Sequence, residues 1–303
     1  MVSRQASEQA RGVVLAREEK AQAAAHSPRA QLLRRFLRNR TGVAALAIVV
    51  LLVLAAAFAP ALAPYDWKAQ NIVQRFATPS AAHLLGTDEL GRDIYTRILY
   101  GARYSLTIGV TAVAVSLALG TLIGIVAGFY RRLDGLIMRV IDVMMAFPGI
   151  LLAIAIVAAL GPGLTNIIVA IGLNEVPAFA RLTRSLVLSL RERDYVLAAR
   201  VLGASDAHIM RRHILANLLS PMVVFASLRI STAILVGATL SFLGLGIQPP
   251  TPEWGAMVST ARQYVTNAPH TFLYPTLAIF VTVVAFNLLG DALRDTLDRT
   301  IRA

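Results

Sequence analysis

Histidine, cysteine and lysine are the residues that most often bind metals, act as nucleophiles or hold phosphate, and this chain has few of them. It contains no cysteine and five histidines. His208 and His213 are five positions apart, which separates them by roughly 140° on an α-helix, so we expect no shared metal site on one helix face. The other histidines lie on separate segments: His26, His83 and His270. The pattern excludes thiolate chemistry and offers no spacing typical of a Ser-His-Asp triad.

The only lysines are Lys20 and Lys68, and neither follows a glycine-rich loop. A phosphate-binding loop of the form G-x-x-x-x-G-K-[ST] is therefore missing. If ATP drives a process in which this chain takes part, we expect another chain to bind the nucleotide.

Two ionisable residues, Glu175 and Arg229, fall inside long apolar runs, where a charge is costly unless it faces a cavity or a partner. We name both as candidates for a translocation path. For Glu175 the alternative is a position near the membrane interface, because arginines follow it. For Arg229 the alternative, slightly favoured, is that the side chain snorkels to the cytoplasmic end.

Flexible thioethers beside an aromatic ring can line a permissive pathway, and Met144, Met145 and Phe147 form such a group. At helical spacing these side chains more often face lipid or the protein core. The group is therefore a second candidate for the path, with packing as the favoured alternative.

The elements that must position these residues are membrane spans. With 303 residues, 56% of them hydrophobic, and a mean hydropathy of +0.64, the chain is typical of a polytopic membrane protein. We predict an all-α fold with six transmembrane helices. Their predicted ranges are 42–63, 105–130, 143–163, 164–188 (interrupted near Glu175 and Pro177), 218–246 and 271–290.

Other segments surround these spans. We expect a disordered cytoplasmic tail (1–27), an interfacial amphipathic helix (28–41), a first transmembrane helix (42–63), external segments (64–103 and 247–270), a transmembrane core (104–293) and a cytoplasmic C-terminal tail (294–303). Of the 29 lysines and arginines, 22 fall on the side of the termini and six on the other side. This bias predicts that both termini are cytoplasmic.

Two local patterns predict details. Gly120, Gly124 and Gly128 recur at four-residue spacing, which places them on one helix face and allows another helix to approach closely. Thr87 is the expected N-cap of a helix ahead of the second span, with acidic residues in its first turn. Arg131, Arg132 and Arg139 are expected to bracket a short cytoplasmic loop.

The longest charged insertion of the C-terminal half is residues 190–221, between two apolar runs. We expect two short helices that meet at Gly203, the second capped by Ser205 with Asp206 in its first turn. Arginine-rich paired helices also occur in DNA-binding helix-turn-helix motifs, but here the bend lies at a membrane surface, where a duplex could hardly approach. We interpret it as a docking element for a cytoplasmic partner.

This segment resembles the cytoplasmic EAA loop of the permease subunits of bacterial ABC importers. The residues that carry the resemblance are Tyr195, Ala198, Ala199, Gly203, Ala204, Ser205, His213, Ile214, Leu215 and Asn217. Leu197 stands where the family usually has glutamate, and Ala216 stands where it usually has proline.

Two further stretches resemble the dipeptide, oligopeptide and nickel branch of these permeases, in particular its C-type subunit. One is 240–259, next to Gly237 where the branch usually has glutamate. The other contains His83, Leu85, Gly86, Thr87, Asp88, Glu89, Gly91, Arg92, Asp93, Gly101, Ala102 and Arg103. Near the C-terminus Arg299 departs from the usual Asp-Pro.

The resemblance implies a type I ABC importer permease in the bacterial inner membrane that forms half of a path for peptides or a related solute. It also implies a second, B-type permease, two ATPase subunits that bind ATP and Mg, and a periplasmic or lipid-anchored binding protein. Nickel, glutathione and opines remain alternative substrates, and an ion-coupled secondary transporter is the rival class. The implied ATPase-coupling residues are Tyr195, Ala198, Ala199, Gly203, Ala204, Ser205, Asp206, Arg212, His213 and Asn217.

Overall fold

The computed structural model describes residues 28–297, so the predicted tail 1–27 and residues 298–303 lie outside the described part. Within it the regular structure is helical, with one isolated bridge between Thr87 and Asp93. The helices are α1 (Pro28–Arg38), α2 (Arg40–Ala57), α3 (Ala59–Leu62), α4 (Ile94–Phe129), α5 (Arg131–Ala146), α6 (Gly149–Leu160), α7 (Leu164–Leu190), α8 (Asp194–Val201), α9 (Asp206–Phe242), α10 (Trp254–Ala261) and α11 (Pro269–Leu297).

The described residues contain four helices long and apolar enough to cross a membrane, namely α2, α4, α9 and α11. A fifth candidate is the pair α5 and α6, which are bent by 92° relative to each other. The predicted fourth span corresponds to α7, which is continuous through Pro177 and is not among the candidates. Helix α7 is less apolar because it carries Asn174, Glu175 and two arginines.

The predicted third span, 143–163, is interrupted at Phe147 and Pro148. Phe147 has an extended backbone, with φ −87° and ψ 138°, because the ring of Pro148 disfavours the helical conformation in the preceding residue. The basic residues expected in a loop before this span instead belong to α5; they are Arg131, Arg132 and Arg139. The break separates α5 from α6.

Helix α4 begins at Ile94, earlier than the predicted start of the second span at residue 105, and its N-cap is Asp93 rather than Thr87. The Asp93 carboxylate accepts a hydrogen bond from the Thr96 N–H at 2.8 Å. The hydroxyl of Thr87 instead makes hydrogen bonds within the preceding loop. The sequence pattern identified the right motif but placed the cap too early, because the acidic turn before Asp93 belongs to the loop.

Buried ion pairs hold the first external segment against the start of α4. Arg92 Nε lies 2.6 Å from Asp88 Oδ2, and Arg97 Nε lies 3.4 Å from the same oxygen. Arg97 also donates to the backbone oxygens of Trp67 and Pro250, which belong to the two external segments. One guanidinium therefore fixes both segments to the end of one transmembrane helix.

Glu253 gives the second external segment a further attachment to α4. Its carboxylate accepts hydrogen bonds from the Ser105 hydroxyl at 2.9 Å and from the N–H groups of Gly255 and Ala256, and so caps α10. Burial raises the pKa of Glu253, although these hydrogen bonds oppose the effect. The predicted irregular segment 247–270 thus contains a short helix with a buried acidic cap.

Helices α4 and α7 pack closely against each other through three glycines of α4. A Cβ atom added to Gly120 would lie 2.5 Å from the Phe179 Cβ, and one added to Gly124 would lie 2.5 Å from the Ala180 carbonyl oxygen. At Gly128 the nearest atom would be the Val187 Cβ, at 2.7 Å. Each of these glycines therefore fills a place where a larger residue would push the helices apart.

We predict that Gly124→Ala destabilises the protein by roughly 1–3 kcal/mol, because the added methyl group would contact backbone of α7 that cannot turn away. Thermal unfolding of the detergent-solubilised protein measures the effect. Gly135→Ala is the matched control, since a Cβ at this helical position has no atom within 4 Å. Equal loss of stability in both variants would contradict the packing role.

Candidate functional site

The connection between α7 and α9 forms a compact corner built on α8 and Gly203. Gly203 has φ +83°, in the left-handed region that glycine adopts readily. Its N–H donates to the Arg200 oxygen at 3.0 Å, and the Ala204 N–H donates to the Ala199 oxygen at 3.0 Å. These two bonds form a Schellman motif that ends α8 and sets the direction of the next helix.

Ser205 caps α9, and its hydroxyl accepts a hydrogen bond from the His208 N–H at 3.4 Å. The second helix was predicted to be short, but it continues to Phe242. It passes through a π turn at Met210–Ile214 and then runs as an α-helix over Leu215–Phe242. Much of the predicted loop 190–221 therefore belongs to a transmembrane helix.

The π turn also overturns the expected separation of two histidines. The ring centroids of His208 and His213 are 5.9 Å apart, and those of His213 and Tyr195 are 6.0 Å apart. In a π turn residues five positions apart come into register, whereas an α-helix would rotate them away from each other. Among residues 28–297 no group of three or more potential metal ligands occurs, so these rings do not form a metal centre of that kind.

Three apolar side chains anchor the corner in the helical core. Val196, Ile209 and Ile214 are fully buried and belong to the main hydrophobic cluster. The predicted coupling residues lie around these anchors. Tyr195, Ala198, Gly203, Ser205, Asp206, Arg212 and Asn217 are exposed, whereas Ala199, Ala204 and His213 are partly buried.

The most exposed apolar side chains of the corner were missed by sequence reasoning. Val201 is 87% exposed and Leu202 is 86% exposed, immediately before Gly203. Leu197 is 41% exposed nearby. The sequence did contain a signal for their exposure, namely two consecutive apolar residues directly before a helix-ending glycine. The end of a helix in a polar loop does not need apolar residues for its own stability, so their presence there indicates another role.

The two candidate charges of the translocation path lie next to each other. Arg229 Nε is 3.3 Å from Glu175 Oε2, so the pair joins α9 to α7. Arg229 lies in the middle of Leu215–Phe242 and pairs with Glu175, an arrangement that does not favour the snorkelling interpretation. The other path candidates lie away from this pair. Met144 and Met145 lie in the last turn of α5, and Phe147, 58% exposed, lies at the bend before α6.

Comparison with known protein families assigns this chain to one of them. A family described as "Binding-protein-dependent transport system inner membrane component" matches residues 120–303. The chain belongs to this family. A second match, the N-terminal transmembrane domain of oligopeptide transport permease C, covers residues 27–79 of the permease.

Similar curated proteins support this family assignment. The permease is 50% identical over 279 residues to a glutathione transport system permease protein of Pectobacterium atrosepticum, covering 91% of this chain and 93% of the relative. It is 47% identical over 278 residues to a dipeptide transport system permease protein of Alkalihalophilus pseudofirmus, covering 91% of each. The glutathione transport permease of Escherichia coli O157:H7 is 51% identical over 271 residues, covering 89% of each.

A solved structure of an inward-facing MetNI methionine ABC transporter shares the fold, with a TM-score of 0.55 and 18% identity. The match covers 67% of this chain and 97% of that one. The chain is therefore a multi-pass inner-membrane permease subunit of an ABC importer, which confirms the resemblance to the C-type peptide permeases.

We predict that Gly203→Val impairs uptake, whereas Gly203→Asn retains most of it. Valine at a positive φ costs about 1–3 kcal/mol and would redirect the corner, but asparagine tolerates the left-handed conformation. Uptake by cells that express equal amounts of each variant measures the difference. Because no atom lies within 4 Å of a Cβ at Gly203, crowding inside this chain does not account for the loss. Equal uptake by both variants would show that the conformation of Gly203 is unimportant.

Proposed function

We propose that this permease pairs with a second, B-type permease and forms half of a path that imports small peptides, glutathione among them. Two cytoplasmic ATPases would bind ATP and Mg, and a periplasmic or lipid-anchored binding protein would deliver the solute. The names of the curated relatives support the substrate class. The missing phosphate-binding loop supports separate ATPase chains.

We further propose six membrane passes with both termini in the cytoplasm, an interfacial position for α1, and close packing of the second permease. In this arrangement α7 is a span whose charged residues are shielded by protein, and the bent pair of α5 and α6 is one broken span. The charge bias of the sequence supports this topology. Two ion pairs that tie α5 to α7, Arg184 with Asp134 and Arg181 with Asp142, neutralise both arginines of α7 and so support its role as a span.

The observation that carries the proposal is the exposed corner at Gly203. Val201 and Leu202 project from a rigid turn that the core anchors from below, so they are available to a partner without unfolding any part of the chain. Large apolar side chains that are exposed together on a folded protein are typical of a surface that binds a protein partner. A groove on an ATPase subunit is the occupant that the family relationship suggests.

The connectivity of the corner suggests how ATP hydrolysis reaches the path. The corner directly joins α7 to α9, and these two helices also carry the charges Glu175 and Arg229. A displacement of the docked corner would therefore be transmitted to both helices at once. The remaining path candidates, Met144, Met145 and Phe147, lie at the bend, where Gly149 adjoins Asn174 of α7.

The ATPase activity of the membrane complex, purified through a tag on this chain, tests the proposal. We expect vanadate-sensitive hydrolysis that rises when binding protein loaded with glutathione or a dipeptide is added. Nickel and opines are screened in the same assay as alternative stimuli. Intact protein that purifies with no ATPase would favour an ion-coupled transporter instead.

We predict that Val201→Asp lowers the amount of co-purified ATPase by about tenfold or more, because docking would bury an unpaired carboxylate. The substitution leaves folding unaffected, since the side chain makes few contacts within the chain. Val73→Asp is the matched control: Val73 is 95% exposed, in the first external segment. Normal ATPase recovery with Val201→Asp would exclude the corner as the docking site.

A further inference from the structure

The ion pair between Glu175 and Arg229 is close but poorly aligned. Only 5% of the Glu175 side chain is exposed, and 30% of the Arg229 side chain. Glu175 Oε2 and Arg229 Nε are buried and, among the described residues, neither has a hydrogen-bond partner, although they lie 3.3 Å apart. The pair is therefore held by charge alone, and each group retains hydrogen-bonding capacity that the protein does not use.

Arg229 is fixed in direction by its aromatic neighbours. Its guanidinium carbon lies 4.9 Å from the centre of the Phe225 ring, and that ring packs edge to face on Phe179, with centroids 5.0 Å apart. Phe179 is fully buried in the contact between α4 and α7. The guanidinium therefore rests on a rigid platform and is partly exposed on one side.

The exposed side belongs to a face of α9 that does not suit lipid. Three of the five residues at helical spacing along this face are polar: Phe225, Arg229, Thr232, Leu235 and Thr239. By contrast, the exposed side chains in the middle of α2 are aliphatic, such as Leu51, Val53 and Leu54. A charged residue in the middle of a membrane helix is tolerated where it faces a protein partner or water. This face of α9 therefore suits the wall of the proposed path better than it suits lipid.

We propose that Arg229 binds a carboxylate of the solute during passage, and that Glu175 holds the guanidinium when the path is empty. This inference rests on the proposed function, because it assigns one contact to the path of that importer. A guanidinium offers five donors in a planar fork that matches a carboxylate. The Glu175 oxygen, 3.3 Å away and without a hydrogen bond, competes only weakly for it.

The exchange of one carboxylate for another explains why a pair is present rather than a lone arginine. An unpaired guanidinium at this depth would be strongly unfavourable in the empty path. Glu175 removes that penalty, and because the Oε2–Nε contact makes no hydrogen bond, none is lost there when the solute displaces it. Arg229 then remains paired while the solute passes, and Glu175 regains its partner once the solute has left.

The first test compares Arg229→Met and Arg229→Lys with the unmodified permease in cells supplied with radiolabelled glutathione or a radiolabelled dipeptide. We expect Arg229→Met to lower uptake by about ten- to a hundredfold, the range for a lost charge-assisted hydrogen bond. Arg229→Lys keeps the charge but not the fork and should fall between the two. The amount of ATPase that co-purifies with both variants should be unchanged, because the corner is unchanged.

A charge swap separates solute binding from a purely structural ion pair. In the double variant Glu175→Arg with Arg229→Glu, a structural pair would be restored and uptake would recover relative to the single variants. Carboxylate binding instead requires a guanidinium on the exposed face of α9, so uptake should stay low although the complex assembles. Recovery of uptake to within about twofold of the unmodified level would overturn the proposal.

Because the chain contains no cysteine, a single introduced cysteine reports access to the path with no competing thiol in this chain. Thr232→Cys should react with a membrane-impermeant thiol reagent, and a dipeptide delivered by its binding protein should slow the reaction. Leu51→Cys, on the exposed face of α2, should react slowly in both conditions. Thr232→Cys that reacts no faster than Leu51→Cys would overturn the proposal even if the swapped variant failed to assemble.

The outcomes also distinguish this inference from the function on which it rests. A wild-type complex that imports neither probe would overturn both the substrate class and the inference. A wild-type complex that imports one of them, with Arg229→Met importing it equally well, would overturn the inference alone.

Discussion

The approach of α4 to α7 through three glycines is the constraint on which the rest of the structure depends. With no side chain at Gly120, Gly124 and Gly128, the backbone of α7 lies directly against α4. This contact buries Phe179, which supports Phe225 and through it the guanidinium of Arg229. It also fixes the end of α7 from which the corner at Gly203 starts. A close contact of backbones, rather than a large apolar surface, thus aligns the charged pair with the docking corner.

The buried charges divide into two groups with different environments. At the start of α4, Arg92 pairs with Asp88 and Glu89, while Arg97 lies near Asp88 and donates to the backbone oxygens of Trp67 and Pro250, so each guanidinium has several oxygen partners. Between Glu175 and Arg229 there is a single contact of 3.3 Å, and neither of the two atoms in it has a hydrogen-bond partner among the described residues. Several partners fix Arg92 and Arg97 in place, whereas the proposed role of Glu175 and Arg229 requires a pair that can exchange partners.

Features with a local cause could be predicted from the sequence, and features that depend on register could not. The left-handed conformation of Gly203 and the cap at Ser205 follow from residue types at adjacent positions. The proximity of His208 to His213 depends on a π turn, which has no comparably simple sequence signature. The break at Pro148 could have been expected from the proline, but the surrounding apolar run suggested a continuous helix.

The candidate site shows the same division. The residues that we propose to couple the chain to an ATPase were selected through a motif. The pairing of Glu175 with Arg229 joins positions far apart in sequence that no local pattern connects. The exposure of Val201 and Leu202 depends on how the corner sits on the core. Pairing and exposure are tertiary properties, so both required the packed structure.

The π turn at Met210–Ile214 has a geometric consequence for α9. It accommodates one extra residue in a turn, and so rotates everything before it by about 100° around the helix axis relative to an unbroken α-helix. The direction in which the corner leaves α9, relative to Arg229, therefore depends on the π turn as well as on the number of residues between them. Loss of a single residue from this turn would restore an unbroken α-helix and keep that relative direction, whereas closure of the turn to α-helical geometry without a deletion would turn the corner away from it.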